Sequence, residues 1–462
     1  MQLSRRKFTR QLLLGIAAGK AGILCSNEAC SQSLTAQSPF GPLRSDRSRL
    51  LDLPKGFRHR IISRWGKKMA DGNYVPALFD GMGTFPGPDG SIIVLRNHEY
   101  REDNDKSIGA FKGRKKLSEK IPAELYYDAG TGDGPCLGAV TTLVYDPQKG
   151  KTVREFLSLA GTMTNCSGCV TPWGTWLSCE ESRENAGGRY ARNHGYVFEV
   201  TPSAAPGLQP PVLLPALGRF VQEGAIIDPV SGIVYMTEDK ADSLIYRFLP
   251  QVPGQLTAGG RLQCLAIQGR PRLDTRNWVG QPVTVGESLQ TYWINLDDVE
   301  SEQDDLRIRG ARSGGARFAR GEGICRLEES VYFGCTSGGA RRLGQVWRYT
   351  PDRAEDQDPD RRAGGLLELV AEPNDSKVLE NPDQFATAPW GDLLICEDGK
   401  NDQYLLGMTP RGQFYPFARN ARDQSELSGA CFSPDGEVLF LSNMVAGLTF
   451  AITGPWPKRS VS

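Results

Sequence analysis

Histidine is almost missing from this 462-residue chain: His59, His98 and His194 are the only three. A zinc site built mainly on imidazoles is therefore disfavoured. Net charge is missing as well. Lys and Arg together number 54, as do Asp and Glu, so no overall charge draws the chain to nucleic acid. There is no Gly-x-Ser-x-Gly elbow, P-loop or Gly-x-Gly-x-x-Gly fingerprint, which removes the common signatures of serine hydrolases, nucleoside triphosphatases and dinucleotide enzymes. No apolar run is long enough to span a bilayer; the one near the N-terminus is broken by Lys20. What the chain has in quantity is Gly, at 53, and Pro, at 30, a composition that fits a turn-rich β protein.

The organising stretch is NCSGCVTPWGTWLSCEE, Asn165 to Glu181. Cys166 precedes Glu180 by 14 residues, with a turn and an apolar strand between them. The layout recurs with an acid in place of the cysteine: Glu223 precedes Glu238 by 15, Glu322 precedes Thr336 by 14, and Asp383 precedes Glu397 by 14. Two variants carry the acid three places earlier, with Asp80 reaching Asn97 and Glu426 reaching Asn443 in 17 steps. Each copy has turn residues between two short strands, which reads as a hairpin, and most copies add a third strand. Six multi-stranded units with no competing helical pattern predict an all-β, six-bladed propeller with long insertions between blades.

In a propeller, equivalent positions converge on the central channel. The repeat therefore predicts one ring of Cys166, Glu223, Glu322 and Asp383, with Asp80 and Glu426 nearby. A second ring would hold Glu99, Glu180, Glu181, Glu238, Asp239, Glu397 and Asp398. So many carboxylates cannot all ionise side by side, because each raises its neighbours' pKa. Bound cations resolve the conflict. An oxygen-rich cluster suits Ca²⁺ or Mg²⁺, and one thiolate among the oxygens suits a more Lewis-acidic metal such as iron. Cys166 sits in a Gly/Ser turn, where a cation would hold it as thiolate, although pairing with Cys169 is the alternative. Cys179, Cys264, Cys325, Cys335, Cys396 and Cys431 mostly lie in apolar strands and read as small buried hydrophobes. Arg320 stands two residues before Glu322, so strand alternation puts both on one face; a guanidinium beside cations is a bidentate clamp for phosphate, although a salt bridge to a ring carboxylate is the alternative. Cations with arginine point to phosphate-ester hydrolysis, with a metal-bound oxide or hydroxide as nucleophile.

The remaining segments divide as follows. Residues 1–36 read as a twin-arginine export signal, from Ser4-Arg5-Arg6-Lys7-Phe8 and the apolar stretch behind it, with cleavage after Leu34-Thr35-Ala36. A strap packing outside the propeller is expected over 37–75, the propeller over 76–457 and a short tail over 458–462. Inserts are expected at about 101–134 and 254–315, the second of which could lay the aromatic strand around Tyr292 over the channel. Residues 351–363 read as an exposed connector.

Long, ordered blocks then carry a resemblance: the twin-arginine start, NCSGCVTPWGTWLSCEE, GRFVQEGAIIDPVSGIVYMTED, ARGEGICR with GQVWRYTP, PDQFATAPWGDLLICEDG, and GACFSPDGEVLFLSN closing on AITGPW. From about Asp80 to Trp456 the chain resembles the PhoX alkaline phosphatase family. The resemblance implies a channel holding two Fe³⁺ and two or three Ca²⁺ around a bridging oxide, and phosphomonoester hydrolysis in the periplasm or outside the cell. It implies that Cys166 is the iron-bound cysteine, Glu223 and Glu322 the iron-side carboxylates, and Arg320 the phosphate holder. The other ring acids, Glu180, Glu238, Asp383, Glu397 and Glu426 among them, fall to calcium. The expected partners are small phosphate esters and the twin-arginine export machinery, with no nucleic acid, no stable membrane span and a monomeric state. The chain departs from the family pattern at Gln222-Glu223-Gly224 and at Cys169, and is shorter than the long phosphatases. A Ca²⁺-dependent propeller lactonase or phosphodiesterase and a non-catalytic surface propeller stay open as other readings.

Overall fold

The computed structural model describes residues 35–101, 103–132, 134–352 and 363–457. The export signal expected over 1–36 lies almost wholly outside them, as do most of the connector and the tail. No helix among the described residues is long and apolar enough to cross a membrane.

Each repeat unit opens with the expected hairpin. Six inner strands, Phe79–Pro86, Asn165–Val170, Gln222–Ile227, Gly321–Leu327, Pro382–Thr387 and Leu427–Phe432, each pair antiparallel with the strand that follows. Each inner strand touches the next, and the last touches the first, so the six close a ring around a central channel. Apolar faces pack between neighbouring sheets. One such layer joins Leu177 and Val197 to Ala225, Val234 and Tyr246; another joins Leu405 and Phe417 to Leu427, Leu439 and Phe450. Each of the buried Val, Leu and Phe side chains among them stabilises the fold by roughly 1.5–3 kcal/mol before entropy is counted.

The arrangement is propeller-like, but the expectation of six separate blades is corrected. The strands form five sheets, of six, four, nine, four and four strands. The nine-stranded sheet takes up two repeat units. Strand Ser288–Asn295, from the second insert, pairs with Gly260–Ile267 on one side and Ala363–Ala371 on the other, and so fuses them. The aromatic strand expected over the channel is this one. It lies among the outer strands, where Trp293 is fully buried and donates its indole N–H to Tyr349 Oη at 3.0 Å. The apolar character that marked it is spent on joining two sheets.

The segment expected as an outer strap over 37–75 supplies strands. Leu51–Pro54 adds to the outer edge of the sheet containing Phe414–Asn420. Arg58–Arg64 pairs with Leu448–Thr453, so the first and last parts of the described chain complete one four-stranded sheet.

Candidate metal centre

Every inner strand carries a register break at the same place, between Phe79 and Met82, Asn165 and Gly168, Gln222 and Ala225, Gly321 and Ile324, Pro382 and Phe385, and Ser428 and Cys431. A β-bulge re-aims the residue it inserts. In five of the six strands the first residue inside the break is Asp80, Cys166, Glu223, Glu322 or Asp383. The sequence spacing had put Asp80 three places early in its unit; pairing of Phe79 with His98 shows that it occupies the same bulge position as Cys166. In the sixth strand the bulge holds Gly429, whose N–H donates to Gln384 Oε1, and Glu426 enters from the preceding loop. The tight ring sets a steric condition on the next residue. A Cβ on Gly81 would lie 2.7 Å from the Cys166 carbonyl oxygen, and one on Gly323 would lie 2.4 Å from that of Asp383.

The outgoing strands supply the second layer, and here alternation decides. His98, Glu180, Glu238 and Glu397 pair with the start of the inner strand and turn away from the channel. Their successors Glu99, Glu181, Asp239 and Asp398 turn into it. Glu180 is spent behind the channel: it accepts from Met163 N–H at 2.9 Å and Gly195 N–H at 2.9 Å and lies 2.8 Å from His194 Nδ1. Glu238 accepts from Tyr246 Oη–H at 2.8 Å and faces Arg307 at 3.9 Å. Glu397 accepts from Glu380 N–H at 2.6 Å. The structure thus brings together Asp80, Glu99, Cys166, Glu181, Glu223, Asp239, Glu322, Asp383, Asp398 and Glu426, and gives Glu180, Glu238 and Glu397 other partners.

Two triplets each place one ligand atom per residue within 4.8 Å of the others: Cys166 with Glu181 and Glu223, and Glu223 with Glu322 and Asp383. Glu223 belongs to both. Burial, then the charges of Asp383 and Asp80, push the Glu223 carboxyl well above the usual range. Burial, then Asp239, Glu223 and Asp383, do the same to Glu322, and burial with Glu99 pushes Asp80 up to about 7. Burial, then Asp80 and Glu223, raise the Cys166 thiol far above its ordinary value. Asp80 Oδ2 and Glu223 Oε1 are buried with no hydrogen-bond partner among the described residues. Orphaned oxygens, mutually repelling carboxyls and a thiol held protonated by its neighbours are the pattern that bound cations resolve, so the residues fit such a group.

Two arginines face the cluster. Arg320 gives Nε and Nη2 to the two oxygens of Asp239 at 2.7 and 2.8 Å, and Nη2 also reaches Glu322 Oε1 at 3.1 Å. Its side chain is 43 % exposed and Nη1 has no partner among the described residues, so the outer edge of the fork is open. Its φ of +55° is a left-handed conformation that a non-glycine residue adopts at a cost, of the kind concentrated at functional positions. Arg101 is the second. It holds Glu99 Oε1 through Nε at 2.9 Å and Glu181 Oε2 at 3.5 Å. It heads the insert expected at about 101–134, and its place two residues after Glu99 mirrors that of Arg320 before Glu322.

A model of the alkaline phosphatase PhoX family matches residues 38–140 and 133–447. The chain belongs to the PhoX family. It is therefore a phosphomonoester hydrolase of the alkaline phosphatase type. No curated protein matches this PhoX chain significantly. Among solved structures it is similar to the PQQ domain of pyranose dehydrogenase from Coprinopsis cinerea, at 10 % identity and a TM-score of 0.29 over 87 % of this chain and 97 % of that one. It is also similar to a luciferin-regenerating enzyme, at 10 % identity and a TM-score of 0.40 over 86 % of this chain and 96 % of that one.

A second cluster went unread in the sequence. Asp128, Cys136 and His194 come from two loops and are fully or almost fully buried. Against burial, which lowers it, the Glu180 charge and the hydrogen bonds with Asp128, Cys136 and Glu180 carry the His194 imidazole up to about 12. No spacing signal links positions so far apart.

Proposed function

We propose that this chain is an exported, metal-dependent phosphomonoesterase whose channel cluster binds iron through Cys166, Glu223 and Glu322, and calcium through the remaining acids of the ring. The observation that carries the reading is the set of bulges that aim Asp80, Cys166, Glu223, Glu322 and Asp383 at one place, beside an arginine whose fork is still open.

The chain's own residues divide the work. Asp239 and Glu322 hold the Arg320 guanidinium by three contacts, so its orientation is fixed before substrate arrives. The open edge of that fork binds the phosphate oxygens and places the ester against the cluster. Arg101 adds positive charge at the mouth through Glu99 and Glu181. Cations bound at the cluster supply Lewis-acid charge and keep the carboxylates and the Cys166 thiolate ionised. Export rests on Ser4-Arg5-Arg6-Lys7-Phe8 and puts the enzyme in the periplasm or outside the cell.

The test is phosphate release from p-nitrophenyl phosphate by the exported protein, with Glu322→Gln and a chelated sample beside it. Turnover lost in both is the expected result. Turnover confined to a diester or a lactone, or metal retained with no turnover on any ester, overturns the reading. A visible charge-transfer band that disappears in Cys166→Ala is expected if iron is bound by that thiolate.

A further inference from the structure

We propose that Asp128, Cys136 and His194 form a second metal site, outside the channel, for one zinc-class cation. The donors are Asp128 Oδ2, Cys136 Sγ and His194 Nε2. Nε2 lies 3.2 Å from Oδ2 and 3.7 Å from Sγ. A tetrahedral ion with ordinary zinc bond lengths holds nitrogen and oxygen about 3.3 Å apart, and nitrogen and sulfur about 3.6 Å apart. The side chains therefore already stand at ligand spacing.

Their surroundings are those of a built site. His194 and Asp128 are completely buried and Cys136 is 4 % exposed. The other ring nitrogen of His194, Nδ1, lies 2.8 Å from Glu180 Oε1, the carboxylate–imidazole arrangement that orients a metal-binding histidine and leaves Nε2 for the ion. Asp128 is fixed in turn by the backbone N–H groups of Gly130, Ala191 and Arg192, at 2.6 to 3.2 Å. The rings of Tyr127 and Tyr190 wall the imidazole, with centroids 5.3 and 5.5 Å away. Cys136 also lines a cavity of about 120 Å³, shared with Lys106, Arg114 and Arg189. Binding displaces the thiol proton and any proton on Nε2, so a cation replaces protons in a buried set that otherwise joins two carboxylates, an imidazole and a thiol. The position explains a structural role. Asp128 and Cys136 end the long first insert, and His194 precedes strand Val197–Val200, so one ion ties the insert to the body.

The experiment uses full-length protein carrying Cys166→Ser, so that the channel thiol contributes no sulfur. The protein is stripped with chelator, dialysed against zinc alone and examined by elemental analysis and zinc-edge X-ray absorption. A zinc bound by one sulfur at about 2.3 Å and one imidazole is expected, beside whatever zinc the channel carboxylates hold through oxygen alone. That pair identifies the site, because among the described residues no other candidate group joins a cysteine to a histidine. Adding Cys136→Ala is expected to remove the zinc–sulfur signal and about one zinc per chain. No retained zinc, or zinc with oxygen and nitrogen ligands only, overturns the site and leaves His194 as an imidazolium clamp between two carboxylates. If Cys136→Ala does not fold, the absorption spectrum of the first variant decides alone.

Discussion

Three acid pairs in this chain, Glu180-Glu181, Glu238-Asp239 and Glu397-Asp398, stand at the same point of three repeat units, yet the two members of each pair live in different worlds. The first turns behind the channel and is consumed by hydrogen bonds it accepts there: from Met163 and Gly195, from Tyr246, and from Glu380. The second faces like charges and an arginine. Composition is the same at both positions. What separates them is the pleat of one strand, which decides whether a carboxylate supports the scaffold or serves the chemistry.

Swapping charge for amide on either side of one pair tests that division. Asp239→Asn loosens the grip on Arg320 and is expected to lower kcat on phosphomonoesters about 10–100-fold with little change in Tm, because it orients a group that binds substrate. Glu238→Gln weakens a buried bond from Tyr246 and is expected to cost about 1–3 kcal/mol of stability, read by denaturant unfolding, with kcat within about twofold of wild type. A reversed outcome, with Glu238 controlling turnover and Asp239 controlling stability, would break the comparison. Gly323→Ala probes the channel wall between the two layers. Its Cβ meets the Asp383 carbonyl, so a loss of about 1–3 kcal/mol is expected, with bound metal lost in parallel.

The smallest effect is on pH dependence. Carboxyls whose folded pKa is raised stay protonated while the unfolded chain ionises, so each lowers stability as pH rises from its unfolded value to its folded one. Burial, eased by Arg307, places Glu238 at about 7, and burial places Glu397 at about 8. Chelated protein is therefore expected to have its highest Tm near pH 5 and to lose stability up to about pH 8. Metal loading is expected to remove the part owed to the channel acids and to leave the part owed to Glu238 and Glu397. A chelated sample with Tm flat from pH 5 to 8 would show that the acids are screened by something other than cations.

Much of this was legible in the residues. The repeat announced the hairpins and the convergence of Cys166, Glu223, Glu322 and Asp383, because turn chemistry and period-two apolar runs are local. Alternation predicts Arg320 beside Glu322, and the two do meet, through a left-handed residue and a bulge rather than a regular pleat. The pairs were visible as acids but not as opposites, since one register step exchanges the two faces and spacing is good only to about that step. Asp80 was misplaced for the same reason: its hairpin was measured to Asn97, whereas His98 is the true partner of Phe79. The fused sheet and the Asp128, Cys136 and His194 cluster stayed hidden because both join segments distant in sequence through contacts that leave no periodic trace.

The pairing of Arg58–Arg64 with Leu448–Thr453 has a consequence for biosynthesis. A growing polypeptide can form its hairpins one after another, but it cannot seal the circle until almost the last strand has left the ribosome. Until then the acids of the early and late units face water rather than one another. Cations shared between the early and late units would therefore be captured only after that sheet is whole, and a fragment lacking Leu448–Thr453 would lack the lock that closes it.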